Sequence, residues 1–322
     1  MNFHRRALAL ALVIGACSWG TRPALALDTV RAVKAANVAW TFTVLDIGME
    51  AGIFQKYGIT VDISAAGGDA KVQQALASDS ADFGLGSGPS MAFTVKGAPQ
   101  IAVAAFAGAP KNISILVGAD SPIKTVQDLK GKTISVTTAG SLTEWLAQQM
   151  SIQEGWGQTG VKTAALGTFD ASFAALEAHQ IDGIVAATEA GYRLEEKHKG
   201  RNLIGLAKYA PDFITHVIYA RKALVTEKPD LVKRFLQGFF ATIHFMKENK
   251  AKTDEISGKV LDASPAVSEK TYDAEISMFR DDGTFDPKAL EVLKKSWIAM
   301  GMLPTVPAND QIFSSAFVPV KY

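Results

Sequence analysis

The chain has 322 residues, a formal net charge of +1, 48% hydrophobic residues and 20% charged residues. That balance excludes a disordered or polyanion-binding chain, so no nucleic-acid partner is implied, and the length suits two lobes of roughly 100–200 residues each. Cys17 is the only cysteine, so neither a disulfide nor a catalytic thiol is available after position 17.

The chain opens with His4-Arg5-Arg6, an unbroken apolar run over 7–16 and a small-x-small site at Ala24-Leu25-Ala26. This is the order of a secretory signal peptide, 1–26, with the mature protein starting near Leu27 in the periplasm. The apolar run is shorter than the ~20 residues that a membrane-crossing helix needs. Ile14-Gly15-Ala16-Cys17 also has the shape of a lipoprotein signal that would lipidate Cys17, but Pro23 and the good Ala-x-Ala site favour cleavage after Ala26. Arg5-Arg6 hints at twin-arginine export, although the rest of that pattern is absent.

Beyond the leader, short β-rich runs alternate with helix-like segments, the pattern of an α/β protein with mostly parallel sheets. Strands are predicted over 30–36 and 60–64, with a helix over 43–57 between them that stops at Gly58. An internal echo follows at a constant offset of 100 positions. Val61, Ala65, Gly67, Ala75, Leu76 and Asp82 recur as Val161, Ala165, Gly167, Ala175, Leu176 and Asp182. Each copy reads strand, glycine loop, helix, then a strand opening at the aspartate, which implies two similar α/β lobes.

The β-like runs 113–117 and 216–220 are the expected crossings between the lobes. Lobe one would then comprise 27–114 and 216–322, with lobe two, 115–215, inserted between them. In the C-terminal part, Pro229 opens a helix whose apolar stripe is Leu231, Val232, Phe235, Leu236, Phe239, Ile243 and Met246. Asp286-Pro287 opens another, with Leu290, Leu293 and Trp297 inward and Gly301 as its stop.

Three loops combine glycine or small hydroxyl residues with a helix start, the makings of an anion-binding helix N-terminus. They are 86–90 with Ser87 and Ser90, 137–144 with Thr138 and Ser141, and 168–172 with Asp170. Ordinary capping competes with ligand contact at each: Ser141 and Glu144 have capping-box spacing, and Asp170 is a good N-cap. Trp40, just after the first strand, is the aromatic residue best placed to grip a ligand, with core packing as the alternative.

Enzyme motifs mostly fail. The glycines of Gly84-x-Gly86-x-Gly88 have the wrong spacing for a dinucleotide fingerprint, and nucleophile-elbow, Walker and zinc-protease motifs are missing. His179, His198, His216 and His244 show no metal-ligand spacing.

Three stretches carry a family likeness. They are Gly48-Met49-Glu50-Ala51-Gly52-Ile53-Phe54 with Tyr57-Gly58-Ile59-Thr60-Val61, then Ala75-Leu76 through Asp82-Phe83-Gly84, and 123–136 with Asp128-Leu129-Lys130-Gly131-Lys132. In their order the chain resembles the periplasmic solute-binding proteins of the nitrate, sulfonate and taurine importers, the SsuA/THI5-like group. The resemblance implies the type II periplasmic-binding fold, two α/β lobes joined by a two-strand hinge with the ligand between them. Carried over by position, the ligand contacts would be Trp40, Thr41, Gly68, Ser87, Ser90, Thr138, Ser141 and Asp170, with Glu189 where relatives vary with their ligand.

The implied partners are an ABC importer membrane permease with its cytoplasmic ATPase, the chain acting as a monomer without a cofactor. The expected ligand is a small organic anion, a sulfonate or carboxylate, held by the helix N-termini of loops 86–90 and 138–141. A neutral polar ring stacked on Trp40 would suit the same loops. The alternative is an enzyme of the same fold, a thiamine-pyrimidine synthase or a lyase, although the fungal cysteine-rich motif is missing here. Mass spectrometry of the exported protein should find an N-terminus near Leu27; a lipidated Cys17 would defeat the freely diffusing form, and an intact Met1 would defeat export.

Overall fold

The computed structural model of the protein describes residues 27–37 and 39–322, so the expected leader, with Cys17, lies outside the described residues. Among the described residues, ten strands form two five-stranded sheets. The first contains β1 (Asp28–Lys34), β2 (Ile59–Ala65), β3 (Phe83–Ser87) and β4 (Gln100–Ala107). The second contains β5 (Ile113–Gly118), β6 (Thr133–Val136), β7 (Lys162–Ala165), β8 (Gly183–Ala187) and β9 (Gly200–Gly205), and β10 (His216–Arg221) returns to the first.

The strand orders are β2-β1-β3-β10-β4 and β7-β6-β8-β5-β9. In each sheet the first three strands run parallel, and the fourth, which arrives from the other lobe, is antiparallel to both neighbours. The repeat read from the sequence is therefore a repeat of topology. Helices Asp69–Ala77 and Phe169–Glu177 also start and stop 100 positions apart.

The echoed aspartates do one job twice. Asp82 donates its N–H to the Arg31 carbonyl and accepts the Arg31 N–H on its carboxylate, at 2.8 and 2.9 Å. Asp182 makes the same pair of contacts with Thr133, both at 2.8 Å. Each carboxylate thus caps the ladder where two parallel strands begin, fixing their register. Burial pulls the Asp82 carboxyl up, but hydrogen bonds from Arg31 and Arg221 outweigh it and hold it well below the usual range.

Two expectations change in the structure. The helix predicted over 43–57 is two, Val44–Glu50 and Ile53–Lys56, because Gly52 takes a left-handed conformation (φ +67°) that breaks the first and starts the second. The runs 113–117 and 216–220 do not cross between the lobes; they are the antiparallel strands β5 and β10 inside the two sheets. The chain changes lobe just before each, in 108–112 and 210–215, and these connections touch where the Thr215 N–H donates to the Gly108 carbonyl at 3.2 Å.

The C-terminal helices complete the first lobe. Pro229–Glu248 buries Val232, Phe235, Leu236, Phe239, Ile243 and Met246, and Phe235 stacks on Phe83 of β3. Pro287–Ala299 is capped by Asp286, which accepts from the N–H groups of Lys288 and Ala289. Its Trp297 donates to the Pro89 carbonyl at 3.0 Å.

These helices also reach the second lobe. The Trp145 indole N–H donates to Ser296 Oγ at 2.8 Å, and Lys270 of helix Pro265–Glu275 pairs with Glu195 at 3.1 Å and lies over the Tyr192 ring.

Beneath that contact lies a pair of buried acids. Glu189 lies in the first turn of helix Thr188–Glu196 of lobe two, and Glu275 ends helix Pro265–Glu275; all four carboxyl oxygens lack a hydrogen-bond partner. Burial pushes Glu189 from 4.5 to about 7, with Arg193, 3.6 Å away, offsetting part of the effect. Burial and the neighbouring Glu189 push Glu275 well above the usual carboxylate range too. Below about pH 4.5 both folded and unfolded chains hold the Glu189 proton; from there to about 7 only the folded chain does, so stability falls as pH rises through that window. Glu189→Gln should raise stability at pH 8 by on the order of 1–3 kcal/mol and flatten the decline between pH 5 and 8. Melting curves with the wild-type pH dependence would show that Glu189 does not titrate there.

Candidate functional site

In each copy of the repeat a glycine loop joins the second strand to its helix. The fold sets these two loops face to face across the seam between the lobes. Gly67 and Gly68 lie on one side and Gly167 on the other, and helices Asp69–Ala77 and Phe169–Glu177 begin there. The approach is close: a Cβ on Gly68 would fall 2.6 Å from Thr138 Cγ2, and Gly68 holds φ +130°. A side chain at Gly68 would meet both a steric and a backbone penalty.

Between the loops is a cavity of about 220 Å³, smaller than the roughly 300–1,000 Å³ clefts that hold drug-sized ligands. Its walls are mostly apolar and come from both lobes, with Phe42 and the start of Asp69–Ala77 on one side and Val136, Phe169 and β8 on the other. Asp69, Asp170, Ser87, Asn112, Thr143 and His216 add polar groups.

Asp69 ties the lobes together. Its Oδ1 accepts the Ser87 N–H and its Oδ2 the Ser87 hydroxyl, both at 2.9 Å, while Oδ2 also accepts the Leu142 N–H of lobe two at 3.2 Å. Leu142 is the first residue of helix Leu142–Gln153, so the Asp69 carboxyl occupies that helix N-terminus. Burial nevertheless raises its pKa, more than the Leu142 and Ser87 hydrogen bonds lower it.

Opposite lies a buried network centred on His216. Burial pushes its pKa down to about 3, leaving a neutral ring. Nδ1 lies 3.4 Å from the Gly86 carbonyl oxygen, which can only accept, so Nδ1 carries the proton and Nε2 is an acceptor. The Asn112 amide NH2 then donates to Nε2 at 2.9 Å and to Thr41 Oγ1 at 3.0 Å. This leaves Asn112 Oδ1 buried with no partner. The Phe42 and Phe106 rings flank the imidazole.

Of the residues singled out in the sequence, Gly68, Ser87 and Asp170 line the cavity. Trp40 does not: it is turned into the core of lobe one, packed on Tyr272 and Phe279, with its indole N–H on Ser257 Oγ at 3.1 Å. Phe42, two residues on, supplies the aromatic wall instead. Thr41 stands behind the cavity, holding Asn112, and Ser90 stands behind Ser87 at 3.1 Å.

Thr138 presses on Gly68 and accepts the Ala70 N–H at 3.4 Å. Ser141 is the N-cap its spacing suggested, accepting from the Glu144 N–H, while Glu144 reaches back to the Gly140 N–H at 2.7 Å. Asp170 is not the N-cap of its helix: Thr168 is, accepting the Ala171 N–H at 3.2 Å, and Asp170 sits in the first turn at the cavity edge. Glu189, two residues past the lining residue Ala187, is not part of the lining and sits in the buried acid pair.

The two loops expected to hold an anion are otherwise engaged. The N-terminus at Leu142 carries Asp69, and the 86–90 loop turns inward, where a Cβ on Gly88 would lie 2.1 Å from the Ile214 carbonyl oxygen. Asp69, Asn112, His216 and Phe42 were not read from the sequence. Asp69 had one signal, a carboxylate directly after a glycine pair at the start of a helix.

The same architecture occurs in solved structures of low sequence identity. The alkanesulfonate-binding protein SsuA from Xanthomonas axonopodis pv. citri, bound to MOPS, aligns with a TM-score of 0.72 and 17% identity over 88% of this chain and 96% of that one. A Candida albicans protein with the generic periplasmic binding protein fold aligns at 0.72 and 15%, over 89% and 94%. The desulfurization enzyme DszB aligns at 0.63 and 14%, over 90% and 97%. The fold is thus that of the periplasmic binding proteins, with its two α/β lobes, and it is one that both binders and an enzyme use. Curated protein sequences include no match. Residues 41–253, well over half of the sequence, match the family described as NMT1/THI5 like, and the chain belongs to that family.

Proposed function

We propose that this protein is the extracytoplasmic solute-binding component of an ABC importer, which closes two lobes on a small organic ligand and presents it to a membrane permease with a cytoplasmic ATPase. It acts as a monomer and without a cofactor. The observation that carries this reading is the cavity itself. It lies on the seam of two lobes of repeated topology, and both lobes supply its walls, so occupation and lobe closure are coupled. Among the described residues no helix is long and apolar enough to cross a membrane, which agrees with a protein that meets its permease from outside.

The likeness to DszB keeps an enzyme in view, yet the lining chemistry favours binding without turnover. Among the described residues no cysteine, lysine or tyrosine lines the cavity. The neutral His216 has both ring nitrogens engaged, and Asp69 accepts from both lobes. A general base needs a free lone pair within reach of the proton it takes, and His216 offers none. Sulfonate-binding relatives, and the sequence, bring a sulfonate or carboxylate into consideration. With no lysine or arginine in the lining, such a ligand would rest on the N-termini of Asp69–Ala77 and Phe169–Glu177, whose first turns already carry Asp69 and Asp170.

A ligand should raise the melting temperature by mass action and be recovered chemically unchanged after long incubation. Protein-dependent product at catalytic rates would establish the enzyme reading instead. Asp69→Ala should separate the lobes: small-angle scattering should show a larger radius of gyration for the ligand-free variant, and ligand affinity should weaken about 10-fold or more, the loss of one to two charge-assisted hydrogen bonds. An unchanged radius together with unchanged affinity would remove Asp69 from the closing mechanism.

A further inference from the structure

We propose that Glu189 and Glu275 form a proton-operated latch between the lobes, holding them together while the carboxyls are protonated and parting them when the protons leave. The latch goes beyond the solute-binding reading and does not depend on it, because neither carboxyl belongs to the cavity lining.

Placement is the first observation. Glu189 belongs to helix Thr188–Glu196 of lobe two and Glu275 to helix Pro265–Glu275 of lobe one, so the pair meets across the seam. The two residues are 1% and 0% exposed, and among the described residues none of their four carboxyl oxygens has a hydrogen-bond partner. Two ionised carboxylates there would repel each other with neither water nor a donor to offset the charge. Protonation removes that cost, and so does separation into water.

Leverage is the second. Connection 108–112, where the chain leaves lobe one, is tied at its start to the residues just after Glu275 and at its end to the residue just before Glu189. The Gly108 N–H donates to the Met278 carbonyl at 2.8 Å and Lys111 Nζ to Ser277 Oγ at 2.9 Å, while the Thr188 N–H donates to the Asn112 carbonyl at 2.8 Å. Any change in the spacing of the two acids is therefore applied at the hinge itself.

The third is the shortage of countercharge. Arg193, one turn along, lies 3.6 Å from Glu189 and offers one positive charge to two carboxylates. Strands β5 and β8, packed on that helix, carry no titratable residue, and Arg201 of β9 donates to the carbonyls of Gly118, Ala119 and Ile123. On the other side Lys270 is taken by Glu195, and Glu269 and Asp273 pair with Lys250 of helix Lys250–Leu261. In that helix Glu255 pairs with Lys252 and Lys259, and Asp254, pushed up to about 6 by burial against the pull of Lys250, lies within lobe one.

The sign follows from linkage. Burial holds Glu189 at about 7, whereas in water it titrates near 4.5. Below about 4.5 the joined and parted arrangements both hold its proton; between there and about 7 only the joined one does. The ratio of joined to parted molecules therefore falls by up to ~10-fold per pH unit across that window and levels off above it.

Small-angle scattering of the ligand-free mature chain, with circular dichroism recorded on the same samples, tests the latch. The radius of gyration should rise between pH 5 and pH 8, mostly below pH 7, with native dichroism retained. Glu189→Gln alone should lose most of that rise, and Glu189→Gln with Glu275→Gln should keep the small radius throughout. Both substitutions preserve side-chain shape and remove no hydrogen bond. An unchanged wild-type radius, a smaller radius at pH 8, or dichroism lost in step with the rise would overturn the inference. So would a wild-type rise in the double variant, which would assign the opening to Asp69, the other buried carboxyl on the seam. None of these results depends on whether the cavity binds its occupant or converts it, so the latch and the solute-binding reading stand or fall separately.

Discussion

A single carboxylate collects donors from both halves of this molecule. Asp69 receives the backbone and hydroxyl of Ser87 from its own lobe and the first N–H of a helix from the other. Taking a carboxylate out of water is costly unless its lone pairs are met, and here the last donor arrives only when the lobes are together. The closed arrangement and the solvation of Asp69 are therefore one event. Gly68 must be glycine so that the loop can bring Asp69 within reach of lobe two, and the cavity beside it exists because that loop and its echo on the far side both turn sharply.

The repeat explains why such a junction can form at all. Two lobes with the same strand order, each locked at its first parallel pair by an aspartate on a backbone N–H, present equivalent edges to each other. Both glycine loops then fall at the seam. The arrangement is not symmetric in chemistry, however. Lobe one places Asp69 in its helix's first position, where lobe two has Phe169, so one side supplies the tie and the other part of the apolar wall.

Much of this was legible in the sequence because it rests on local or periodic signals. Apolar stripes at helical spacing foretold Pro229–Glu248 and Pro287–Ala299, and the constant offset of 100 foretold the twin sheets. The site was less legible for a definite reason. Trp40 and Phe42 sit two residues apart in one tight turn, and which of them faces the seam depends on where Tyr272 and Phe279 leave room in the core. Asp69 finds its partners 18 and 73 positions away, and Asn112 is oriented by His216, 104 positions on. Asp170 looked like a cap by residue type, but Thr168 wins because the cap must precede the helix's first turn. Glu189 was placed by analogy with relatives, and only packing shows it against Glu275.

The Trp145–Ser296 hydrogen bond has an optical consequence. Trp145 is carried by lobe two, buried at 2% exposure and stacked on Phe213, while its indole N–H ends on a hydroxyl of the C-terminal helix of lobe one. Trp40 and Trp297 are each enclosed within lobe one and keep their surroundings whatever the lobes do. Separation of the lobes exchanges Ser296 for water at the Trp145 indole N–H, and an indole that gains mobile water emits at longer wavelength. The molecule thus carries its own fluorescent gauge of the seam, readable on the timescale of the motion and without any label.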